Sequence, residues 1–441
     1  MGRTTLRLGL YMNARRVIPG TGDLNGSAVS NIEQLLALRD RGGIGGLDVL
    51  IRLSRDQALH QRQSPDGLDS TSEPMWTGVR EFPLAAIGGS RLTPDIGSPP
   101  PRAATTMLTA PALASFLRSL RKGADPATTT LVLWGHADGP SGMLFARRPD
   151  IRPPSRNAST RPSVRTALSR PRAGGVAAAA SNRLSRDILS PADAQKAFAA
   201  ATGSAGKLGL VCFDACQAAC IEFAALLAPH ADLLIASQTP VPGAGWNYGS
   251  WPSHLPGMTK STRRARAVAI ADDFARLRGR NLSVSVTDLS KVPAIIAALR
   301  PVSDALVASR PLRTALAKVR AQVRTQDDDV GGSVDLVGLF DAAAKKLGNV
   351  DADFARACAR VAAAGRNAIA SAQRSPDIPR RIPLTGLSIF YPTAKSGLGD
   401  TWDDITDRIY FGNPNQLRAF KLSNWHRFLA LDRRDRKGMS G

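Results

Sequence analysis

A histidine and a cysteine each follow a short apolar run that predicts a buried strand. His136 stands just after residues 131–134, and Cys216 stands just after residues 208–213. In a parallel α/β sheet, ligands and catalytic groups gather at the carboxyl ends of the strands. Two such strands ending side by side would let the imidazole act on a substrate while the sulfur attacks as a thiolate. This combination predicts the active site of a cysteine peptidase.

Cys216 is the best candidate among the four cysteines for a reactive thiol. A turn into the following helix would expose its sulfur, and the amides at that helix N-terminus would lower the thiol pKa. The alternative is a buried, inert cysteine, which is the common fate of this residue type. Cys212 lies within the apolar strand and Cys220 one helical turn beyond Cys216, so both are predicted to be structural. The Cys-x3-Cys-x3-Cys spacing lacks a nearby fourth ligand, so no metal site is predicted.

His136 is the preferred partner among five histidines. A turn of small residues follows it, and the backbone amides of such a turn can polarise a carbonyl oxygen. His254, in a loop after the cysteine element, is the main alternative base. His60 and His230 occupy positions typical of surface residues.

The bulk composition fits a soluble protein with a substantial core. The chain has 441 residues, 43% of them hydrophobic, and a formal net charge of +22 that comes mainly from arginine. Such a charge is compatible with nucleic-acid binding. However, aromatic residues make up only 5% and are not interleaved with a basic stripe, so a solvated surface is favoured. The N-terminus shows no signal peptide and no run is long enough to span a membrane, so a cytoplasmic location is expected.

Strands and helices alternate along much of the chain, which predicts an α/β fold with a mostly parallel sheet flanked by helices. The expected organisation has four parts: a first part of the core with the histidine strand at 1–139, a linker at 140–205, a second part of the core with the cysteine strand at 206–257, and a mostly helical region with a late strand (386–391) at 258–441. The late strand is expected to return to the edge of the main sheet. The linker is rich in Ser, Pro, Ala and Arg and cannot bury enough apolar surface to offset the entropy of ordering it.

Several segments resemble the clostripain family of cysteine peptidases, which belongs with caspases, gingipains, legumains and separase. The resemblance spans almost the whole chain, and its most specific part is Phe-Asp-Ala-Cys joined to a Pro-Gly-x-Gly-Trp-x-Tyr loop. The segments concerned are 11–14, 22–25, 131–139, 213–216 with Glu222 and Ser237, 242–248, 386–392 and Asn424-Trp425. The resemblance implies a caspase-like fold and peptide or protein substrates.

The resemblance also implies a role for individual residues. Cys216 would be the nucleophile and His136 its partner, and the backbone amides of Cys216 and Ala137 would hold the oxyanion. Asp214 would lie in the S1 pocket and pair with a substrate Arg or Lys; the alternative is a helix N-cap or turn aspartate. The family usually has Gly where Ala137 stands. Relatives that cleave after basic residues often carry an acidic residue where Ala244 stands, and its absence weakens the basic preference.

Some relatives are activated by cleavage between their histidine and cysteine strands. We expect this chain to cut itself in the corresponding place, freeing a loop that shields the site, after one of Arg147, Arg148, Arg156, Arg161, Arg165, Arg170, Arg172, Arg183 and Arg186. Some clostripain-like enzymes resemble calcium-dependent proteins, and residues 327–329 (Asp-Asp-Asp) could supply oxygen ligands, although a solvated acidic loop is favoured. No other cofactor is expected.

Two other functions are compatible with the same residues. One is a catalytically silent caspase-like protein that binds peptides or a partner. The other is a basic nucleic-acid-binding protein in which both strands belong to the core. Labelling of Cys216 by an acyloxymethyl ketone distinguishes the first from an enzyme, and a steep salt dependence of DNA affinity would indicate the second.

Overall fold

The structure is a computed structural model. It describes residues 5–15, 24–56, 59–63, 70–93, 95–96, 106–137, 139–140, 142–145, 188–203, 206–276, 282–324, 332–392 and 422–437.

One eight-stranded mixed sheet forms the centre of the molecule. The members are β1 (Thr5–Asn13), β2 (Leu47–Arg55), β5 (Gly78–Pro83), β6 (Ala124–Trp134), β9 (Leu208–Asp214), β10 (Ala231–Ala236), β11 (Ser283–Asp288) and β13 (Ile369–Arg374). The strand order is β13-β11-β10-β9-β6-β1-β2-β5. The middle five strands, from β10 to β2, run parallel, and the antiparallel pairs lie at the two ends.

Three short antiparallel pairs lie outside this sheet. They are β3 (Leu59–Gln63) with β4 (Ser70–Pro74), β7 (Leu144–Phe145) with β8 (Ile188–Leu189), and β12 (Ser333–Asp335) with β14 (Ser388–Phe390). The second pair brings together the two ends of the arginine-rich segment, and the third lies beside the cysteine turn.

Helices cover both faces of the sheet, because its central strands are apolar on both sides. One face packs against α1 (Leu24–Asp40) and α5 (Arg263–Ala275). The opposite face packs against α2 (Ala110–Arg121), α3 (Pro191–Thr202), α4 (Ile221–Leu227), α6 (Val292–Ala308), α8 (Leu336–Lys346) and α9 (Ala352–Ala368), with α7 (Arg310–Arg320) and α10 (Trp425–Lys437) in contact with this layer. The α/β prediction with a largely helical C-terminal part is therefore confirmed.

Three segments differ from the expected organisation. The late strand, β14, pairs with β12 instead of the edge of the main sheet, although Ser388 forms a parallel bridge with Cys220. The region expected to be mostly helical contributes β11 and β13 to the main sheet. Within the expected linker, α3 is an ordered helix because Leu189, Ala194 and Phe198 reach the core.

In the part of the chain that the structure describes, no single helix has the length and apolarity needed to cross a membrane. Residues 289–308 and 310–320 meet that criterion only together, across a bend of 117°.

Candidate active site

The strand register places the two candidate catalytic residues, His136 and Cys216, at the same edge of the sheet. β6 and β9 are adjacent parallel strands, and Trp134 pairs with Asp214 at their carboxyl ends. His136 and Cys216 each come two residues later, and the N–H of Gly135 donates to the Asp214 carbonyl oxygen at 3.2 Å. Adjacent strands lie about 4.8 Å apart. The sequence-based expectation that two neighbouring strand ends carry the histidine and the cysteine is therefore met by the register.

Cys216 lies in a tight turn between β9 and α4. Its side chain is partly exposed, and its Sγ accepts a hydrogen bond from the N–H of Val241 at 3.3 Å. The next residue, Gln217, has a φ of 53°, in the left-handed region that non-glycine residues rarely adopt. A strained residue of this kind persists only where the surrounding structure holds it, and such residues cluster at functional sites.

The other three cysteines are buried and differ sharply from Cys216. Burial raises the pKa of Cys212 and of Cys220 well above the ordinary value, with a further contribution from the nearby Asp214 and Glu222 respectively. Burial raises the pKa of Cys358 to about 12. All three are therefore thiols at neutral pH, and all four cysteines are free of disulfides.

Asp214 is buried at the end of β9 and holds a loop over the sheet edge. Its Oδ2 accepts hydrogen bonds from the N–H of Trp246 at 3.0 Å and from the hydroxyl of Tyr248 at 3.1 Å. Burial and the adjacent Asp214 carboxylate raise the pKa of Tyr248 well above its ordinary value, so the phenol stays a donor. Asp214 does not cap a helix in this arrangement; it anchors the loop of residues 242–248.

The structure explains the second glycine and the two aromatic residues of the Pro-Gly-x-Gly-Trp-x-Tyr pattern. Gly245 has a φ of 64°, and a Cβ there would lie 2.6 Å from the Asp214 Oδ2 atom. Trp246 and Tyr248 are fully buried, and both rings contact Trp251 edge to face. The glycine permits a close approach to the carboxylate, while the aromatic rings fix the loop to the core.

The late strand reaches the cysteine turn from the opposite side. The N–H of Ser388 donates to the Ala219 carbonyl oxygen at 2.8 Å, and the N–H of Phe390 donates to the Glu222 Oε1 atom at 3.0 Å. Glu222 belongs to the first turn of α4, immediately after the cysteine element. Residues 388–390 therefore stabilise the turn and the start of its helix.

The remaining sequence-predicted residues occupy varied places. Ala137 is buried and Ala244 is exposed. His254, the alternative base, belongs to a 3-10 turn and lies 3.9 Å from the Asp273 carboxylate. The nine arginines considered for self-cleavage and the acidic residues 327–329 lie outside the described residues. Over the described ranges, no group of His, Cys, Asp or Glu side chains has an arrangement suited to a metal ion.

Sequence reasoning missed two residues that shape this edge, Gln238 and Val241. Both follow β10, and they contact the cysteine turn and the late strand through hydrogen bonds across long sequence separations. Val241 donates to Cys216 with its backbone, so no side-chain pattern could have indicated it. A polar residue just beyond a buried strand was the one available signal for Gln238.

The clostripain family model matches residues 183–413, just over half of the chain, including the cysteine strand, its turn and the late strand. The chain belongs to the clostripain family. It is a cysteine peptidase, and the family resemblance found from the sequence motifs is confirmed. No curated protein matches the chain significantly.

Solved structures with the same fold agree. A secreted C11 cysteine protease from Bacteroides thetaiotaomicron, iotapain, superposes with a TM-score of 0.54 and 13% identity, covering 91% of this chain and 98% of that chain. A secreted C11 protease from the same organism in complex with an irreversible peptide inhibitor gives a TM-score of 0.52 and 14% identity, with coverage of 93% and 98%. An inactive zymogen C11 protease from Parabacteroides distasonis gives 0.52 and 16%, with coverage of 93% and 99%. The caspase-like architecture is thereby confirmed.

The comparisons correct one expectation. A cytoplasmic location was expected from the N-terminal sequence, but two of the similar solved proteases are described as secreted. The cytoplasmic prediction is therefore wrong.

Proposed function

We propose that this clostripain-family peptidase cleaves its substrates with Cys216 as nucleophile and His136 as general base. The observation that carries the proposal is the register of β6 and β9, in which Trp134 pairs with Asp214 and each candidate follows two residues later. The partial exposure of Cys216, against full burial of the other three cysteines, supports it further. No third carboxylate is required, because a thiolate forms readily once its pKa falls.

The reaction runs in two halves. His136 takes the thiol proton, and the Cys216 Sγ attacks the scissile carbonyl carbon while the backbone N–H groups of Ala137 and Cys216 hold the oxyanion. The carbon–nitrogen bond then breaks, and the imidazolium gives its proton to the leaving amine. Water, deprotonated by His136, attacks the resulting thioester, which releases the acid product and returns the thiol.

Asp214 is the proposed determinant of a basic P1 residue. A buried carboxylate near the nucleophile attracts a guanidinium or ammonium group because opposite charges interact strongly where water is excluded and form charge-assisted hydrogen bonds. Its Oδ2 atom already accepts two hydrogen bonds from the loop of residues 242–248, so the substrate contact would add to them. With Ala244 in place of a second acidic residue, we expect a preference for Arg and Lys instead of an absolute requirement.

A fluorogenic panel tests both assignments. Substrates with Arg, Lys, Asp and neutral residues at P1 are compared with wild type and Cys216→Ala. The expected result is turnover of Arg and Lys substrates by wild type and none by Cys216→Ala, together with acyloxymethyl ketone labelling that maps to Cys216. Undiminished turnover by Cys216→Ala refutes the nucleophile, and turnover restricted to Asp or neutral P1 refutes the Asp214 assignment.

Self-processing between the histidine and cysteine strands is proposed on the position of the arginine-rich segment. β7 and β8 pair Leu144 with Leu189 and Phe145 with Ile188, so the segment leaves and returns at one place. That place adjoins the histidine turn, since a Cβ on Gly135 would lie 3.5 Å from the Leu144 side chain. Both ends of the segment therefore lie beside the histidine turn, which supports cleavage within the same molecule.

Gel analysis of freshly purified wild type and Cys216→Ala tests self-processing. We expect two fragments from wild type, with new ends after an arginine between 147 and 186, and an intact chain from the variant. The fragments should co-elute without denaturant, because β6 and β9 come from different fragments yet remain paired. Equal fragmentation of both proteins, or of neither, contradicts self-processing.

An extracellular site of action is proposed from the likeness to proteases described as secreted. Fractionation of the source cells, with activity and immunoblotting in the medium and the cell contents, tests it. Activity confined to the cell contents would contradict it.

A further inference from the structure

The strained turn at Cys216 is held by one short segment of backbone that follows β10. The N–H of Gln217 donates to the Thr239 carbonyl oxygen at 3.1 Å, and the N–H of Ala219 donates to the Ser237 carbonyl oxygen at 2.9 Å. The same segment supplies the Val241 N–H that donates to the Cys216 Sγ. Because Gln217 has a left-handed φ of 53°, the turn depends on its surroundings to keep its shape, and this segment supplies three of the hydrogen bonds that hold it.

Gln238 lies within that segment, and its side-chain amide makes three hydrogen bonds. Its Nε2 donates to the Asp335 Oδ2 atom and to the Ser388 Oγ atom, both at 3.0 Å. Its Oε1 accepts from the N–H of Gly386 at 2.7 Å. The orientation of the amide is fixed chemically, because a carboxylate oxygen can only accept and a backbone N–H can only donate.

The residues that form hydrogen bonds with the Gln238 side chain are themselves fixed by further hydrogen bonds. Asp335 accepts from the N–H of Gly338 in the first turn of α8 and from the N–H of Thr385, both at 2.6 Å. Ser388 returns to the cysteine turn, since its N–H donates to the Ala219 carbonyl oxygen at 2.8 Å. Hydrogen bonds therefore link the turn, the segment after β10 and the β12–β14 pair into a closed ring, with Gln238 as the member that joins the last two.

We infer that Gln238 is a positioning residue for the nucleophile: its side chain ties the segment that supports the Cys216–Gln217 turn to the β12–β14 pair, and thereby sets the direction of the Cys216 sulfur. The inference rests on the proposed role of Cys216. The Gln238 side chain would act on Cys216 indirectly, through the backbone of residues 237–241 that contacts the turn. The proposed S1 pocket depends on different residues, namely Asp214 and the loop of residues 242–248. Loss of the Gln238 side chain should therefore lower the rate of attack and leave P1 selectivity unchanged.

The test compares Gln238→Ala with Gln373→Ala. Gln373 is a matched control: it is a partly buried glutamine on β13 whose Nε2 donates to the Asp272 Oδ1 atom at 2.8 Å. For each protein we would measure kcat and KM on an Arg substrate, the Arg-to-neutral P1 ratio, the melting temperature, and the rate at which iodoacetamide alkylates Cys216, followed by peptide mass spectrometry.

The expected result for Gln238→Ala is a fall in kcat of roughly 30- to 100-fold, the size expected when a reacting atom is displaced by about 1 Å. The alkylation rate should fall by more than about threefold, because a displaced sulfur loses the proposed activation by His136. KM and the P1 ratio should stay within about threefold of wild type, and Gln373→Ala should match wild type in every kinetic value. An alkylation rate and kcat for Gln238→Ala within about threefold of those of Gln373→Ala would overturn the inference.

Two further arms keep the result decisive. Ser388→Ala removes one acceptor of the Gln238 amide and keeps the backbone bond to Ala219, so it should lower the alkylation rate in the same direction by a smaller factor. This variant serves if Gln238→Ala fails to fold, and an unchanged rate would then count against the inference. If wild type hydrolyses no peptide, the proposed function fails, yet the alkylation rates of the variants still decide the role of Gln238.

Discussion

The loop on Asp214 and the strand pair joined by Gln238 lie beside the same turn but are built differently. The first rests on one buried carboxylate that accepts from Trp246 and Tyr248, with aromatic rings packed behind it. The second rests on a neutral amide that donates twice and accepts once. The charge of Asp214 can select a substrate cation, whereas the Gln238 amide is itself neutral and its hydrogen bonds orient the backbone. The comparison predicts that specificity and rate can be altered separately.

Loss of the His136 imidazole should lower the catalytic rate more than loss of either the Asp214 loop contacts or the Gln238 contacts. This is the largest effect we predict. His136→Ala should lower kcat by roughly 10³-fold, because general-base assistance contributes about 10²- to 10⁴-fold. The control is His254→Ala, which removes the alternative base beside Asp273 and should leave kcat within about threefold of wild type. The opposite pattern, with activity lost only in His254→Ala, would reassign the base.

The centre of the fold could be predicted from the sequence, and its edges could not. Residues 208–213 of β9 and the last four residues of β6 (131–134) are continuous apolar runs, which is typical of strands buried on both faces. β11 has the alternating sequence Ser-Val-Ser-Val-Thr-Asp, a period-two strand signal that lies within a region whose composition otherwise favours helices. β13 follows α9 directly and has an alanine-rich sequence with no strand signal, so only its pairing with β11 determines its structure.

The site divides in the same way. The placement of His136 and Cys216 at one edge of the sheet could be predicted, because each follows a strand and parallel strands end at the same edge. The role of Gln238 depends on Asp335 and Ser388, which are 97 and 150 residues away, and no local pattern encodes such a contact. The sequence motif indicated the loop of residues 242–248, but only the structure reveals the hydrogen bonds that join this loop to Asp214.

Removal of the negative charge of Asp214 should change P1 selectivity more than it changes stability. In Asp214→Asn the side-chain oxygen can still accept from Trp246 and Tyr248, so the loop should keep its place. We expect kcat/KM for an Arg substrate to fall roughly 10- to 100-fold, the worth of a charge-assisted hydrogen bond, and that for a neutral P1 substrate to stay within a few-fold. A lower melting temperature with unchanged selectivity would show that Asp214 is only an anchor.

A methyl group at Gly245 should disturb the same loop through sterics. Gly245→Ala places a Cβ 2.6 Å from the Asp214 Oδ2 atom at a backbone φ of 64°. The left-handed conformation costs about 1–2 kcal/mol for a non-glycine residue, and the overlap adds roughly 1–2 kcal/mol. Urea unfolding should show a loss of about 2–4 kcal/mol. Gly243→Ala, where a Cβ would meet nothing within 4 Å, should be nearly neutral, and equal losses in the two variants would contradict the explanation.

The smallest predicted change removes a single hydrogen bond to Asp214. Tyr248→Phe keeps the buried ring and the Trp246 N–H contact but deletes the hydroxyl donor at 3.1 Å. The free energy of unfolding should fall by about 1–2 kcal/mol in urea unfolding. The Arg-to-neutral P1 ratio should change by a few-fold, because the Asp214 carboxylate is then held by one hydrogen bond fewer.

Tyr11→Phe is the control: it removes another buried phenol donor, which donates to the Met107 carbonyl oxygen. It should cost similar stability and leave the P1 ratio unchanged. If both variants shift that ratio equally, the selectivity change follows from general destabilisation, and the loop has no separate role in specificity.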